Sequence, residues 1–301
     1  NMIYSRSPAL RGLGHVVMDE VHYLADRSRG AVWEEVIIHL PDHVALTSLS
    51  ATVSNAEEFG DWLMTVRGDT EVVVEEHRPV PLFQHVIVGN QLFDLFQPGS
   101  ADKVNPELVR RARELEGPRQ RDRGGRPVRP PVPRRSEVIE RLDREGLLPA
   151  ITFIFSRAGC AAAVQQCLRA GLRLNTEDER TQVKTHVRKR TADLPREDLA
   201  VLGFGEWLEG LERGIAAHHA GMLPTFKEVV EELFVAGLVK AVFATETLAL
   251  GINMPARSVV LEKLVKWNGD AHVEVTPGEY TQLTGRAGRR GIDIEGHAVV
   301  L

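Results

Sequence analysis

The chain has 301 residues, 43% hydrophobic and 26% charged, with a formal net charge of −5. That length allows about two domains, and the composition is that of a globular protein rather than a disordered or fibrous one. No apolar run approaches the roughly 20 residues a membrane-spanning helix needs, and 42 acidic against 37 basic residues give no global field for nucleic acid, although contacts through amides, hydroxyls and a few local cations need none.

In chain order, residues 14–18 (GHVVM) read as a short buried strand that stops at Asp19-Glu20-Val21-His22. A strand ending in adjacent carboxylates is the usual sequence form of an ATPase metal site. The aspartate holds Mg²⁺ and the glutamate orients and deprotonates the attacking water. A polar turn or an acidic helix N-cap uses the same residue types. Residues 32–40 read as a helix, His43–Leu49 as a second strand followed by Ser50-Ala51-Thr52, and residues 55–66 as a helix. The hydroxyls of Ser50 and Thr52 can bond Asp19 or His22 and so couple the phosphate site to moving parts; a plain N-cap from Ser54 or Asn55 is compatible with that. This alternation predicts a mostly parallel sheet. Glu71–Glu75 and Gln84–Val88 read as two further strands.

From 98 to 135 the character changes, and residues 118–135 read PRQRDRGGRPVRPPVPRR. Proline and glycine at this density predict little fixed structure. The stretch is either a passive linker or a tethered basic arm that adds nonspecific affinity for nucleic acid.

A second α/β region opens with a helix over Ser136–Glu145, capped by Ser136. Strands follow at Ala150–Phe155, Ile215–Ala217, Lys240–Ala244, Ser258–Glu262 and His297–Leu301, with helices at Gly159–Gly171, Glu228–Ala236 and Pro277–Arg286. Each of the first three strands leads into a polar loop: Ser156-Arg157, where the arginine could equally be a surface residue; His218-His219-Ala220-Gly221, where a histidine could be a hydrogen-bonded structural one; and Thr245–Asn253, where the hydroxyls of Thr245 and Thr247 suit phosphates or cap the next helix. The adjacent histidines point apart and lack further ligands, which argues against zinc. Cys160 and Cys167 lie about 10 Å apart along one helix, too far for a disulfide, and read as buried thiols in a reducing compartment. Trp267-Asn268-Gly269-Asp270 between two strand-like runs signals a hairpin. Finally, Gln282–Gly291 (QLTGRAGRRG) spaces Gln282, Arg286 and Arg289 as Q-x-x-G-R-x-x-R. Two arginines three apart in a helical segment share one face, with Gly285 and Gly288 keeping bulk away. Guanidiniums that cannot lose their charge suit a triphosphate better than a core.

DEVH, SAT, IAAHHAG (Ile215–Gly221), TETLALGIN and QLTGRAGRRG occur in the order seen in superfamily 2 helicases. The spelling resembles the superkiller-type DEVH-box group, which includes helicases that serve the RNA exosome and their actinobacterial relatives. The resemblance implies two RecA-like (P-loop NTPase type) doubly wound α/β domains, the first incomplete: residues 1–97 in the first, 98–135 as linker and 136–301 as the second. It implies ATP and Mg²⁺ as cofactors, with Asp19 on the metal, Glu20 on the water, Arg289 as arginine finger, Arg286 as second phosphate contact and Gln282 placing the water. His22, Ser50 and Thr52 would couple, and Gly251 and Asn253 would sense the nucleotide. Ser156, Arg157, His219, Gly221, Thr245, Thr247 and Trp267 would meet nucleic acid, Trp267 by stacking near the tip of a strand-separating hairpin. The resemblance further implies RNA over DNA, translocation 3′ to 5′, compatibility with a nuclease partner, and a cytoplasmic location. A DNA-repair translocase shares these motifs. No G-x-x-x-x-G-K-[ST] occurs, so the chain reads as a piece lacking the P-loop half of its first domain, with no ATP hydrolysis of its own expected; a noncatalytic nucleic-acid-binding remnant is the other reading.

Overall fold

The computed structural model describes residues 2–5, 7–21, 24, 30–50, 56–75, 77–100, 102–116, 133–249, 254–267 and 270–301; side chains are described for all of these except Ala56, Glu57, Glu116, Arg196, Asp198, Ala200 and Ala249. The chain divides into two compact units. The first holds Asn1–Arg78 and Pro277–Gln282, the second Pro79–Thr276 and Leu283–Leu301.

In the first unit, β1 (His15–Met18) pairs in parallel with β2 (Ala45–Ser48), so that Met18 lies opposite Ser48. It also holds helices α1 (Gly30–His39) and α2 (Ala56–Arg67) and the Pro277–Gln282 part of a later helix. Met18, Val21, Ile37 and Leu63 are buried together, with Trp33, Phe59 and Trp62 packed against them. Arg67, at the end of α2, donates to the carbonyls of Leu40 at 2.6 Å and Val44 at 2.8 Å, which pins that helix end to the approach to β2. The strand expected at Glu71–Glu75 does not form. Val72, Val73 and Val74 are exposed without a neighbouring strand among the described residues, and β-propensity without a partner makes no ladder.

The second unit is built on a seven-stranded sheet. In chain order its strands are β3 (Leu82–Val88), β4 (Gln91–Asp94), β5 (Ala150–Phe153), β6 (Ile215–His218), β7 (Ala241–Ala244), β8 (Ser258–Leu261) and, after a hairpin of β9 (Val265–Trp267) and β10 (His272–Glu274), β11 (Gly296–Val300). Across the sheet the order is β4-β3-β11-β8-β5-β7-β6. Every pairing in it is parallel except β3 with β4. Strands β5, β7 and β8 are buried at every position, the continuous apolar reading of strands covered on both faces. The mixed α/β class with a parallel-dominated sheet is the one expected of RecA-like domains. The covering helices are α3 (Pro106–Glu116), α4 (Arg135–Arg144), α5 (Arg157–Arg169), α6 (Glu177–Arg190), α7 (Arg196–Val201), α8 (Phe204–Glu212) and α9 (Pro224–Val235), and α10 (Pro277–Thr284) precedes β11. No helix among the described residues is long and apolar enough to cross a membrane.

Three expectations change here. The strand read at 84–88 belongs to the second unit, because β3 pairs with β11, more than two hundred residues away; residues 79–97 therefore leave the first domain. Residues 106–116 of the expected linker form α3, an amphipathic helix whose Leu108 is buried, while residues 117–132 lie outside the described set. Ser136 is not a cap. It sits inside α4, buried, and the Glu137 carboxylate caps instead by accepting the Arg134 N–H at 2.8 Å.

Candidate functional site

At the end of β1 the chain turns through Glu20, the one non-glycine residue with positive φ (54°) among those described. An L-residue in this region is disfavoured, and such strain recurs at functional sites. Asp19 Oδ1 accepts the Glu20 N–H at 2.9 Å, which holds the turn. The end of β2 is laced to it, since Leu49 N–H donates to the Met18 carbonyl at 2.8 Å and Val21 N–H to the Leu49 carbonyl at 2.9 Å. Ser50 follows directly, exposed, but makes no hydrogen bond to Asp19: the aspartate is bonded to its own neighbour's amide, and the coupling expected of Ser50 has no side-chain link there. His22 and Thr52 lie outside the described residues. Asp19 is solvent-exposed, with its second carboxylate oxygen unengaged by any described residue. That fits a hard, hydrated cation such as Mg²⁺, which takes one or two protein carboxylates and completes its shell with water and phosphate oxygens. No cluster of three or more metal-ligating side chains occurs among the described residues.

In the second unit the carboxyl ends of parallel strands gather most of the residues expected at nucleic acid. After β5, Ser156 caps α5 by accepting the Gly159 N–H at 3.2 Å, and Arg157 stands exposed at the first helical position. Arg157 has no hydrogen-bond or ion-pair partner among the described residues. After β6, His219 Nδ1 accepts the Gly221 N–H at 3.2 Å. A Cβ on Gly221 would meet that nitrogen at 3.3 Å and Arg157 Cδ at 3.5 Å, so glycine leaves room for the arginine and the imidazole to lie side by side. Burial, then the charge of Arg157, holds His219 below the ordinary histidine range. After β7, Thr245 N–H donates to the His218 carbonyl at 3.3 Å and the Thr245 and Thr247 hydroxyls share a hydrogen bond of 2.9 Å. His218 itself is buried and bonds Glu231 at 2.8 Å, a structural role. Gly251 and Asn253 lie outside the described residues.

The arginine motif takes a different form from the expected helical face. Helix α10 ends at Thr284, and Arg286 and Arg289 stand in the turn that follows. The turn is clipped to the segment before β8: Ala256 N–H donates to the Arg286 carbonyl at 2.9 Å and Gly288 N–H to the Ala256 carbonyl at 2.7 Å. Gly288 has φ of 84°, and a Cβ there would strike Val80 Cγ1 at 2.6 Å. The glycine is thus required by backbone and packing, not by clearance for the arginines. Arg289 is half-buried in a two-pronged ion pair with Asp293. Gln282 Nε2 is buried with no hydrogen-bond acceptor among the described residues, an open donor that suits a water or a phosphate oxygen. The arginine turn is bridged to Ala256, just before β8, and leads into β11, so Arg286 and Arg289 stand at the amino ends of strands whose carboxyl-end neighbours carry Arg157 and Thr245. The two sets are separated by a strand length, about 13 Å for four residues.

The hairpin is present. Trp267 is the last residue of β9, 55% exposed, and meets His272 edge-on with ring centroids 5.2 Å apart. Lys266 pairs with Glu246 at 2.7 Å, tying the hairpin to the turn after β7. Asp293 and the Lys266–Glu246 pair were not identified from sequence. Asp293 had a signal, four residues beyond Arg289; Lys266 and Glu246 had none, being 20 apart across a tertiary contact.

Comparison with known proteins adds the following. The family described as DEAD/DEAH box helicase matches residues 1–59, and the helicase conserved C-terminal domain matches residues 163–291. Relatives include the probable helicase HelY of Mycobacterium tuberculosis, 67% identical over 313 residues. They also include the chloroplastic DExH-box ATP-dependent RNA helicase DExH15 of Arabidopsis thaliana, 40% identical over 342 residues, and human superkiller complex protein 2, 38% identical over 317. Each alignment covers 100% of this chain but only 34%, 28% and 25% of the respective relative, so the chain spans a quarter to a third of their length.

Proposed function

Because this chain belongs to the superfamily 2 helicases, we propose that it forms part of an ATP-driven motor that translocates on and unwinds RNA. One edge of the seven-stranded sheet carries the proposal: three successive parallel strands end in Arg157, in His219 with Gly221, and in Thr245 with Thr247, which together offer a cation, an imidazole and hydroxyls to a phosphate backbone. Exposed Trp267 adds a stacking surface.

For hydrolysis, Glu20, at the positive-φ turn that ends β1, is the base that takes the proton of the attacking water. Asp19 would hold Mg²⁺, which when bound neutralises charge on the phosphate oxygens. Arg289 and Arg286 supply positive charge to the transferred phosphoryl group, and the open Nε2–H donor of Gln282 orients the water. Gly251 and Asn253 in nucleotide sensing, and His22, Ser50 and Thr52 in coupling, remain part of the proposal. The RNA preference follows the names of the relatives, one a DExH-box ATP-dependent RNA helicase. A nuclease-containing assembly and a cytoplasmic location agree with a superkiller complex protein among them and with two free buried thiols.

The test uses the full-length gene product. Single-stranded RNA stimulates its ATP turnover, and Glu20→Gln abolishes turnover while ATP still binds. Turnover indifferent to any nucleic acid would sink the proposal, and stimulation by DNA that RNA cannot compete away would replace it with a DNA translocase.

A further inference from the structure

We propose that Asp293 is the positioning residue for Arg289, and that its carboxylate sets the guanidinium in place before nucleotide arrives. The inference rests on the assignment of Arg289 to phosphoryl chemistry made above.

Asp293 holds its partner three times. Oδ2 accepts the backbone N–H of Arg289 at 2.9 Å and the Nε–H at 2.8 Å, while Oδ1 accepts from Nη2 at 2.8 Å. The carboxylate is nearly covered, its side chain 5% exposed against 24% for the arginine. The arginine's hydrogen bonds, opposed by burial, keep the Asp293 carboxyl well below the ordinary carboxylate range, and Arg257 adds its charge in the same direction. The pair is therefore fully ionised at any working pH.

A guanidinium carries five N–H donors in a fixed planar fork. Asp293 takes the edge formed by Nε and one hydrogen of Nη2. The two hydrogens of Nη1 and the second on Nη2 have no partner among the described residues. One of these hydrogens from each Nη forms the adjacent end-on edge, which can grip a phosphate bidentately. Because the backbone N–H of the same residue is bonded to the same carboxylate, both ends of the arginine side chain are referenced to one group. A long side chain that would otherwise sample many rotamers is held to one, and its ordering precedes the reaction instead of accompanying it. Asp293 itself donates nothing and need not touch substrate.

The substitution Asp293→Asn tests this. The amide keeps one acceptor but turns an N–H toward a guanidinium N–H, which breaks the fork. Steady-state ATP hydrolysis is measured on the full-length protein with saturating single-stranded RNA, at a temperature where circular dichroism shows every variant folded. D293N is expected to lower kcat about 10- to 100-fold with KM for ATP within about threefold of the parent, because orientation is lost and ground-state binding is not. Introduced into Arg289→Ala, the same change is expected to have no further effect, since there is no guanidinium left to position. A D293N kcat within twofold of the parent or above it, or equal loss in the R289A background, overturns the inference. If R289A itself retains the parental kcat, the assignment of Arg289 falls and the inference falls with it; loss in R289A beside an unaffected D293N overturns the positioning role alone.

Discussion

Gly296→Ala should damage the arginine turn from behind. Gly296 opens β11, and a Cβ there would lie 2.6 Å from the Gly288 nitrogen, 2.7 Å from the Ala287 carbonyl carbon and 2.8 Å from its oxygen. All three are backbone atoms, so no side chain can rotate away. The contact must open by roughly 0.8 Å to reach ordinary van der Waals separation, and overpacking of this kind costs about 1–3 kcal/mol. For a unit of this size, about 2 kcal/mol lowers Tm by about 4–8 °C. The displaced backbone joins Arg286 to Arg289, so a shift approaching 1 Å there is expected to reduce ATP turnover of the full-length protein by up to about 100-fold. Gly146→Ala is the control. Gly146 also has positive φ (69°) but nothing within 4 Å of an added Cβ, so it should lose only about 1 kcal/mol of backbone strain and leave turnover unchanged. Differential scanning calorimetry of both variants beside kinetic assays makes the comparison. A G296A protein that melts within 1 °C of the parent and turns over ATP normally would refute the backbone-contact reasoning.

Further outcomes follow from the same geometry. Buried His85, His218 and His297 are each held below the usual histidine range by burial, with Asp94 and Glu231 opposing it at the first two and His85 reinforcing it at the third. A depressed folded-state value means the unfolded chain binds protons that the native one refuses. Stability should therefore be full above pH about 6.5 and fall below it by up to about 1.4 kcal/mol per pH unit for each excluded proton, levelling off beneath the folded-state values; a melting temperature flat from pH 7.5 to 5 would contradict this. Cys160 and Cys167 have no exposed surface and their thiols are pushed up to about 12, so a maleimide at pH 8 should label neither in the native chain and both after denaturation; native labelling would show that α5 opens. Arg157→Ala should weaken RNA binding and reduce the slope of log affinity against log salt by about 1, and an unchanged slope would remove Arg157 from the phosphate contacts. Lys266→Ala frees the hairpin from Glu246 and should reduce duplex unwinding more than ATP turnover; equal loss of both would deny the hairpin a separate role.

Local information carried the strands at the centre of the large sheet and the order of the motifs, though not the strand expected at Glu71–Glu75. Runs such as Ala150–Phe153 and Ala241–Ala244 are apolar at every position because both faces of a parallel sheet are covered, and that pattern is visible without coordinates. The end of β1 at Asp19 and the caps and turns after β5, β6 and β7 were likewise set by short-range chemistry. The helices α6 and α8 were not legible. Helix α6 buries only Val183 and Val187 and is held instead by ion pairs such as Arg180 with Glu212 and Arg190 with Glu228, partners 32 and 38 residues away.

What tertiary structure alone decided is which pieces meet. The pairing of β3 with β11 moves residues 79–97 into the second unit, and buries His85 against His297 at 3.0 Å, a contact between positions 212 residues apart. The arginine turn is no helix because Gly288 must pass close to Val80 and Gly296 in a left-handed conformation, and only the packed fold imposes that. Periodicity and motif spacing follow from the chain's own geometry over a few residues, so the sequence states them. Strand partners and close backbone contacts depend on distant segments competing for the same space, so they exist only once the chain has folded.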